Sequence, residues 1–147
     1  MSRADSYPPV LERLLQAVNA YDLDALVSCF AADYVNETPV HPLRGFRGND
    51  QVRRNWTQIF TVTDLRADVP RYSLDAELLW TEWEMSGTRP DGARLLMRGV
   101  VIFGIDGDVI RSARFYLEPV EDTSGDVDVH TRRVVGAPSD RTRTRQQ

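Results

Sequence analysis

The sequence contains no lysine, and all 18 of its basic residues are arginine, as is common in GC-rich genomes. It has one cysteine, Cys29, so an intramolecular disulfide is excluded and a reducing compartment such as the cytoplasm is expected. No apolar run approaches the roughly 20 residues that cross a bilayer, and the N-terminus lacks a signal-peptide pattern. These absences favour a cytoplasmic protein without a membrane segment.

The 18 basic residues do not outnumber the 22 acidic ones. The formal net charge is −4, which gives no electrostatic reason to expect a nucleic-acid partner. The two histidines, His41 and His130, lie far apart and do not have the spacing of metal ligands, so no metal site is expected. The length of 147 residues and the 41% hydrophobic content are those of one ordinary globular domain.

Helical periodicity comes first along the chain. Apolar residues recur at helical spacing in three N-terminal segments, which predicts three helices. Asp22 is the expected N-cap of the second helix, and Asn49 or Asp50 that of the third. Between these two helices, residues 33–38 predict a short strand and residues 39–48 a loop. The apolar positions of the first and third helices are Val10, Leu11, Leu14, Leu15 and Val18, and Val52, Trp56, Ile59 and Phe60.

From residue 65 the apolar period changes to two, which predicts β-strands. Pro70 places the first of them at a sheet edge or a bulge. Helices followed by antiparallel strands indicate an α+β domain, with bounds at residues 8–121. Residues 1–7 are expected to be frayed, and the polar residues 122–147 to form a mostly disordered tail. The predicted strands are 65–72, 77–87, 93–105 and 109–118.

Three short phrases carry a resemblance to a known family: DLDAL at residues 22–26, FAADY at 30–34 and FGIDG at 103–107. Together with the order of elements, they resemble the nuclear-transport-factor-2-like superfamily and, within it, the SnoaL-like (polyketide-cyclase-like) proteins, many of them actinobacterial. The resemblance implies a cone-shaped, curved antiparallel sheet wrapped around three N-terminal helices. It also implies a hydrophobic pocket, a homodimer through the outer sheet face, and no cofactor.

Strand alternation groups the side chains by face, because residues two apart point the same way. The resemblance implies which face looks into the pocket. Trp80, Glu82 and Glu84 then lie on the outer face, where an exposed tryptophan suits a dimer contact. The inward set is Tyr34, Asn36, Trp83, Gly99, Arg114 and Tyr116.

Two specific activities of the superfamily are not matched. The positions that carry the base, the oxyanion aspartate and the tyrosine in ketosteroid isomerases fall on Thr38, Gly99 and Leu14. Limonene-type epoxide hydrolases hold water with a Tyr-x-Asn pair, which Tyr34 and Asn36 match. Their Asp-Arg-Asp triad, however, falls on Trp83, Met85 and Arg114, so water activation is left without a carboxylate.

Four polar residues are the catalytic candidates: Glu118, Arg114, Asn36 and Tyr34. Arg114 and Glu118 form either a structural ion pair or, if unpaired, an anion-binding group and an acid/base whose pKa is raised. SnoaL-like cyclases use an acidic residue late in the sheet, which implies a role for Glu118. Tyr34 and Asn36 either hold a ligand oxygen or satisfy each other. The substrate-binding candidates are Trp56, Trp83, Tyr116, Thr38, Met85 and His41.

Some of these candidates have a second interpretation. His41 is either a general base or an exposed loop residue, and the tryptophans are either core or ligand platforms. The leading hypothesis is a small enzyme that performs cofactor-free cyclisation, isomerisation, dehydration or hydrolysis on a hydrophobic, oxygenated metabolite. The alternative is a non-catalytic ligand-binding or dimerisation module of the same fold. Neither the substrate nor the reaction is encoded in a motif.

Overall fold

The computed structural model describes residues 7–121 and 125–138. The expectations for residues 1–6, 122–124 and 139–147 therefore lie outside the described residues. Four α-helices, one 3₁₀ helix and six strands make up the described chain. In order they are α1 Pro9–Asn19, α2 Leu23–Ser28, β1 Phe30–Glu37, the 3₁₀ helix Pro42–Arg44, β2 Phe46–Arg47, α3 Asn49–Ile59, β3 Thr63–Asp75, β4 Leu78–Thr88, β5 Arg94–Asp106, β6 Val109–Pro119 and α4 Val127–Val135.

The three predicted N-terminal helices are confirmed. The Asp22 side chain caps α2 by accepting a hydrogen bond from the Ala25 N–H at 3.1 Å. α3 starts differently from the prediction, because its N-cap is Gly48, at φ +90°, and not Asn49 or Asp50. The Gly48 N–H donates to the Tyr34 carbonyl at 2.7 Å, which ties the start of α3 to β1. Glycine suits this position because it adopts positive φ without a steric cost.

The six strands form one curved sheet in the order β2-β1-β6-β5-β4-β3. The four long strands pair antiparallel, as predicted. β1 adds to β6 in parallel, and the two-residue β2, which was expected to be loop, pairs with β1 at the edge. Pro70 lies on edge strand β3 at a register shift, which confirms the prediction for a residue without an N–H.

The helices α1 and α2 pack on the concave side of this sheet and bury its inner face. Leu11, Val18 and Leu26 from the helices join Leu79, Val101 and other inward side chains in one core. Gly99 on β5, at φ +155°, lies opposite Leu117 of β6. A Cβ at Gly99 would overlap the Tyr116 carbonyl oxygen and come within 2.8 Å of Leu117 Cα. The missing side chain therefore lets the two strands approach at this point of the curve.

A β-bulge on β6 reverses the predicted orientation of that strand. Ile105 pairs with Ile110 while the preceding Gly104 pairs with Ser112, so Arg111 is an extra residue on β6. Ile110 and Ala113 are both buried, three positions apart instead of two. The side chains that face inward beyond the bulge are Ala113, Phe115 and Leu117. The predicted inward orientation of Arg114 and Tyr116 is therefore wrong.

Part of the segment expected to be disordered is helical. Asp126 caps α4 by accepting from the Val129 N–H at 3.1 Å, and Gly136 ends it in a left-handed conformation. Residues 127–135 therefore form a helix within the segment that the composition predicts to be mostly disordered. The side chains of α4 are largely exposed. In the described part of the chain, no helix is long and apolar enough to cross a membrane.

Candidate functional site

A cavity of about 400 Å³ opens between α3, β1 and the sheet. Its volume falls in the range of small-molecule sites. Its walls combine side chains from helix, sheet and the loop before α3. The lining residues are Phe30, Tyr34, Asn36, Thr38, His41, Arg44, Phe46, Val52, Asn55, Trp56, Ile59, Val62, Met85, Leu95, Met97, Phe115, Leu117 and Glu118.

One wall is the apolar stripe of α3. Val52, Trp56 and Ile59 are four and three residues apart, so they share the helix face that looks into the cavity. The Trp56 ring packs against Phe60 with centroids 5.6 Å apart, which holds the indole in place. Phe115 and Leu117 of β6 supply part of the facing wall. Apolar side chains from both layers therefore form two facing walls of the cavity.

Tyr34 and Asn36 lie side by side on β1 and line the inner part of the cavity. The Tyr34 hydroxyl donates to Asn36 Oδ1 at 2.7 Å. The Tyr34 side chain is 1% exposed, and its ring contacts Phe30 and Phe46. Burial raises the pKa of this phenol far above its ordinary value, so Tyr34 stays protonated and is not a base. The Asn36 amide nitrogen has no partner among the described residues and is left to donate into the cavity.

His41 and Glu118 meet at the edge of the cavity. The distance from His41 Nε2 to Glu118 Oε1 is 2.8 Å, and the side chains are 36% and 44% exposed. Two hydrogen bonds with Thr38 fix the loop that carries His41. The His41 backbone N–H donates to the Thr38 carbonyl at 2.8 Å, and the His41 carbonyl accepts from Thr38 Oγ1 at 2.7 Å. A histidine that donates one ring N–H to a carboxylate keeps its other nitrogen as a proton acceptor.

Arg114 is not part of this site. Its Nε lies 3.4 Å from Glu37 Oε2 on the outer face, with both side chains about half exposed. Of the two alternatives predicted for Arg114 and Glu118, the ion pair between them does not form, because the bulge at Arg111 turns Arg114 outward and Glu118 binds His41. Tyr116 shares the outer face with Arg114 and does not line the cavity.

Trp83 faces inward as predicted but belongs to the core. It is 4% exposed, and its indole Nε1–H donates to Thr81 Oγ1 at 2.7 Å. Thr81 in turn donates to the Val101 carbonyl at 2.6 Å, so the polar atoms are satisfied inside the protein. Of the other substrate-binding candidates, Trp56, Thr38, Met85 and His41 do line the cavity.

The sequence interpretation missed several lining residues. Asn55 lies three positions after Val52 and one before Trp56, so the helical period of α3 already placed it beside that stripe. The alternation of Phe115 and Leu117 was visible, but its direction depended on the bulge. Arg44 follows no period, because it lies in the 3₁₀ helix within a proline-rich loop. No local signal in the sequence identifies it.

A family model for the SnoaL-like domain matches residues 11–113, which is most of the chain. The chain belongs to the SnoaL-like domain family. No curated protein matches it. The resemblance to the SnoaL-like proteins is confirmed, and a solved structure described as nuclear-transport-factor-2-like shares the fold.

Solved structures share the SnoaL-like fold at low identity, which shows the fold alone. The epoxide hydrolase/cyclase-like enzyme SalBIII, described for pyran ring formation in the polyether salinomycin, has a TM-score of 0.65 and 20% identity, over 76% of this chain and 88% of that one. A Mycobacterium tuberculosis protein in complex with estradiol-17β-hemisuccinate has a TM-score of 0.62 and 16% identity, over 82% and 93%. A Catenulispora acidiphila protein with a ketosteroid isomerase-like fold, in complex with trimethylamine, has a TM-score of 0.61 and 15% identity, over 92% and 98%.

Proposed function

We propose that this chain is an enzyme for cofactor-free acid/base chemistry on a hydrophobic, oxygenated small molecule. The observation that carries the proposal is the position of the His41–Glu118 pair at the edge of a cavity with largely apolar walls. An apolar cavity binds the body of such a molecule, and a few polar groups orient it. The reaction class is cyclisation, isomerisation, dehydration or hydrolysis, each of which needs a proton moved.

His41 is the proposed general base. With its Nε2–H donated to Glu118 Oε1, its Nδ1 lone pair accepts a proton from the substrate or from a water molecule. Glu118 orients the ring and stabilises the imidazolium that forms. The Asn36 amide N–H groups donate to the substrate oxygen on which negative charge develops. A base and an oxyanion donor thus line the same cavity.

The structural neighbours support this proposal by analogy of fold. SalBIII is described for ring formation, and the M. tuberculosis protein holds a steroid ester. Both are related to this chain at 20% identity or less, so the analogy concerns the kind of molecule the fold accommodates. The polar residues named above are the part of the proposal that is specific to this chain.

A second candidate function is ligand binding without catalysis. It is favoured by the mutual bond of Tyr34 and Asn36, which satisfies two polar groups without a substrate. It is favoured also by the exposure of His41 and Glu118, because water screens a pair that is more than one-third exposed. Both functions predict that the cavity binds an apolar, oxygenated molecule, and only the first predicts turnover.

Proton exchange in D₂O separates the two functions. Naphthoylpropionic acid methyl ester has exchangeable protons next to its ketone, and NMR follows their replacement by deuterium; styrene oxide hydrolysis is measured in parallel. We expect the wild type to catalyse at least one reaction and His41→Gln to lose about 100-fold in rate. His130→Gln is the matched control, since His130 is exposed on α4. Ester binding without either reaction would favour the binding module instead.

The role of the Glu118 carboxylate is tested with a variant and a matched control. Glu118→Gln keeps a hydrogen-bond acceptor for His41 but removes the negative charge, so the imidazolium loses its stabilisation. We expect about a tenfold loss in rate at unchanged ester affinity. Glu121→Gln removes the same charge from an exposed residue beyond β6 and should change neither. Full activity in Glu118→Gln would remove Glu118 from the mechanism.

We further propose that the protein is a homodimer through the outer face of the sheet. Trp80 and Leu78 on β4 are 46% and 42% exposed there, and Ile102 lies beside Trp80 on β5. Tyr116, which the bulge turns outward, neighbours Val100 on the same face. An exposed tryptophan with apolar side chains beside it is typical of a protein contact surface.

A further inference from the structure

The two asparagine side chains in the cavity are both oriented by neighbours that occupy their oxygens. Asn36 Oδ1 accepts from the Tyr34 hydroxyl at 2.7 Å, and Asn55 Oδ1 accepts from Gln51 Nε2 at 2.8 Å. Within residues 7–121 and 125–138, neither amide nitrogen has a hydrogen-bond partner. Both residues therefore present N–H donors to the space they line. A molecule that satisfies them must carry hydrogen-bond acceptors, such as carbonyl or carboxylate oxygens.

Arg44 adds a positive charge to the mouth of the cavity. It ends the 3₁₀ helix, is exposed, and lines the cavity. Its guanidinium forms no ion pair in the described part of the chain, whereas Arg53 binds Asp24 and Arg114 binds Glu37. The acid that lines the same cavity, Glu118, is bonded to His41. The guanidinium is thus available for a ligand carboxylate, which it can bind with two parallel hydrogen bonds.

We infer that the ligand is a hydrophobic oxo acid, with a ketone or similar carbonyl oxygen on the inner Asn36 amide and a carboxylate on Arg44 at the mouth. This inference rests on the proposed function and names the substrate class of the same site. Asn36 is 8% exposed, so a ketone that reaches it is largely removed from water. Asn55 lies on α3 beside Trp56 and offers a further N–H donor to the same cavity.

A preference for an acid over its ester is a demanding test of this assignment. Moving a carboxylate toward an apolar cavity costs desolvation energy, and a methyl ester avoids that cost. The protein also carries a net charge of −4, and Glu118 lies at the cavity edge, so both disfavour an anion. If Arg44 did not contact the ligand, the ester would therefore bind more tightly than the acid.

Calorimetric titration with three probes makes the comparison: naphthoylpropionic acid, its methyl ester, and naphthylbutanoic acid, which lacks the ketone. We expect the keto acid to bind about tenfold more tightly than the ester and about fivefold more tightly than the acid without a ketone. Arg44→Gln should abolish the preference for the acid over the ester, because only the acid carries the charge that the guanidinium binds. Arg47→Gln is the matched control, because Arg47 is exposed nearby on β2 but lines a different groove.

The outcomes separate this inference from the proposed function. If the ester binds as tightly as the keto acid and Arg44→Gln changes nothing, the carboxylate assignment is overturned while the cavity as a binding site stands. If the two acids bind equally, the assignment of the ketone to Asn36 is overturned. If none of the three probes binds the wild type, the proposed function fails together with the inference. Loss of the acid preference in Arg47→Gln as well would contradict the role of Arg44.

Discussion

The Tyr34 hydroxyl donates to the Asn36 side chain two residues along the same strand, at 2.7 Å. This bond decides which end of the amide faces the cavity. Because the oxygen accepts from the phenol, the nitrogen is left to donate to a ligand. Tyr34 is thus a positioning residue, and Asn36 is the one that contacts substrate in this account.

Removing the Tyr34 hydroxyl should lower the free energy of unfolding. Tyr34→Phe leaves Asn36 Oδ1 without its donor, and we expect a loss of about 1 kcal/mol in the free energy of unfolding, because cavity water can replace part of the bond. Tyr116→Phe is the control, since its hydroxyl has no hydrogen-bond partner in the described residues. Urea unfolding measures both. Equal stabilities of the two variants would contradict the structural role of the bond.

The buried Tyr34 phenol should also make the free energy of unfolding depend on pH above about pH 10. Burial raises the pKa of Tyr34, so the folded state favours the neutral form. The contribution of the neutral phenol to the free energy of unfolding is then fully present below about pH 10, the ordinary pKa of tyrosine in the unfolded chain. It is lost as pH rises from there toward the higher pKa of Tyr34 in the folded state. We predict that the stability difference between wild type and Tyr34→Phe shrinks above about pH 10. Urea unfolding on either side of that pH measures it, and a constant difference would argue against a buried neutral phenol.

Gly99 should be far less tolerant of a side chain than a turn glycine. An alanine Cβ there would meet backbone atoms of Tyr116 and Leu117, whereas at Gly92, at φ +86°, it would meet nothing within 4 Å. We expect Gly92→Ala to cost about 1 kcal/mol for the positive φ alone, and Gly99→Ala about 3 kcal/mol or more. Thermal and urea unfolding test this. A similar cost at both positions would mean that β5 and β6 separate easily.

The sequence predicted the helices and strands better than the side of the sheet to which their side chains point. Helical and strand periods are local, so the three N-terminal helices, the long strands and the Asp22 cap are predicted correctly, whereas the helix over Val127–Val135 is not. The direction of β6 depends on one inserted residue, Arg111, which alternation cannot reveal because a bulge has no fixed composition. That single residue turned Arg114 and Tyr116 outward and changed the partner of Glu118.

The contacts within the site could be predicted from the sequence to different degrees. The Tyr34–Asn36 bond joins neighbours on one strand face, so strand geometry placed them together, and one of the two interpretations was that they satisfy each other. His41 and Glu118 come from a loop and from the end of the last strand, and only the folded sheet brings them within 2.8 Å. Arg44 depends on a loop conformation that no period describes.

The outer sheet face should control the oligomeric state. We predict that light scattering during size-exclusion chromatography shows a dimer for the wild type. Trp80→Glu should weaken it at least tenfold in dissociation constant, because a charge would replace the largest exposed apolar side chain of that face. Leu43→Glu, at a fully exposed leucine of the 3₁₀ helix, is the control and should remain dimeric. A wild-type monomer at high concentration would refute the proposed dimer.

The central claim is that a small molecule binds in the space between α3 and the sheet, and the three tryptophans can report this directly. The Trp56 indole lines that space, Trp83 is bonded to Thr81 in the core, and Trp80 lies on the outer face. Indole N–H resonances are assigned with Trp56→Phe and Trp80→Phe and followed by NMR during titration with naphthoylpropionic acid. We predict that the Trp56 resonance shifts saturably while that of Trp80 does not move. A shift at Trp80 with none at Trp56 would contradict it.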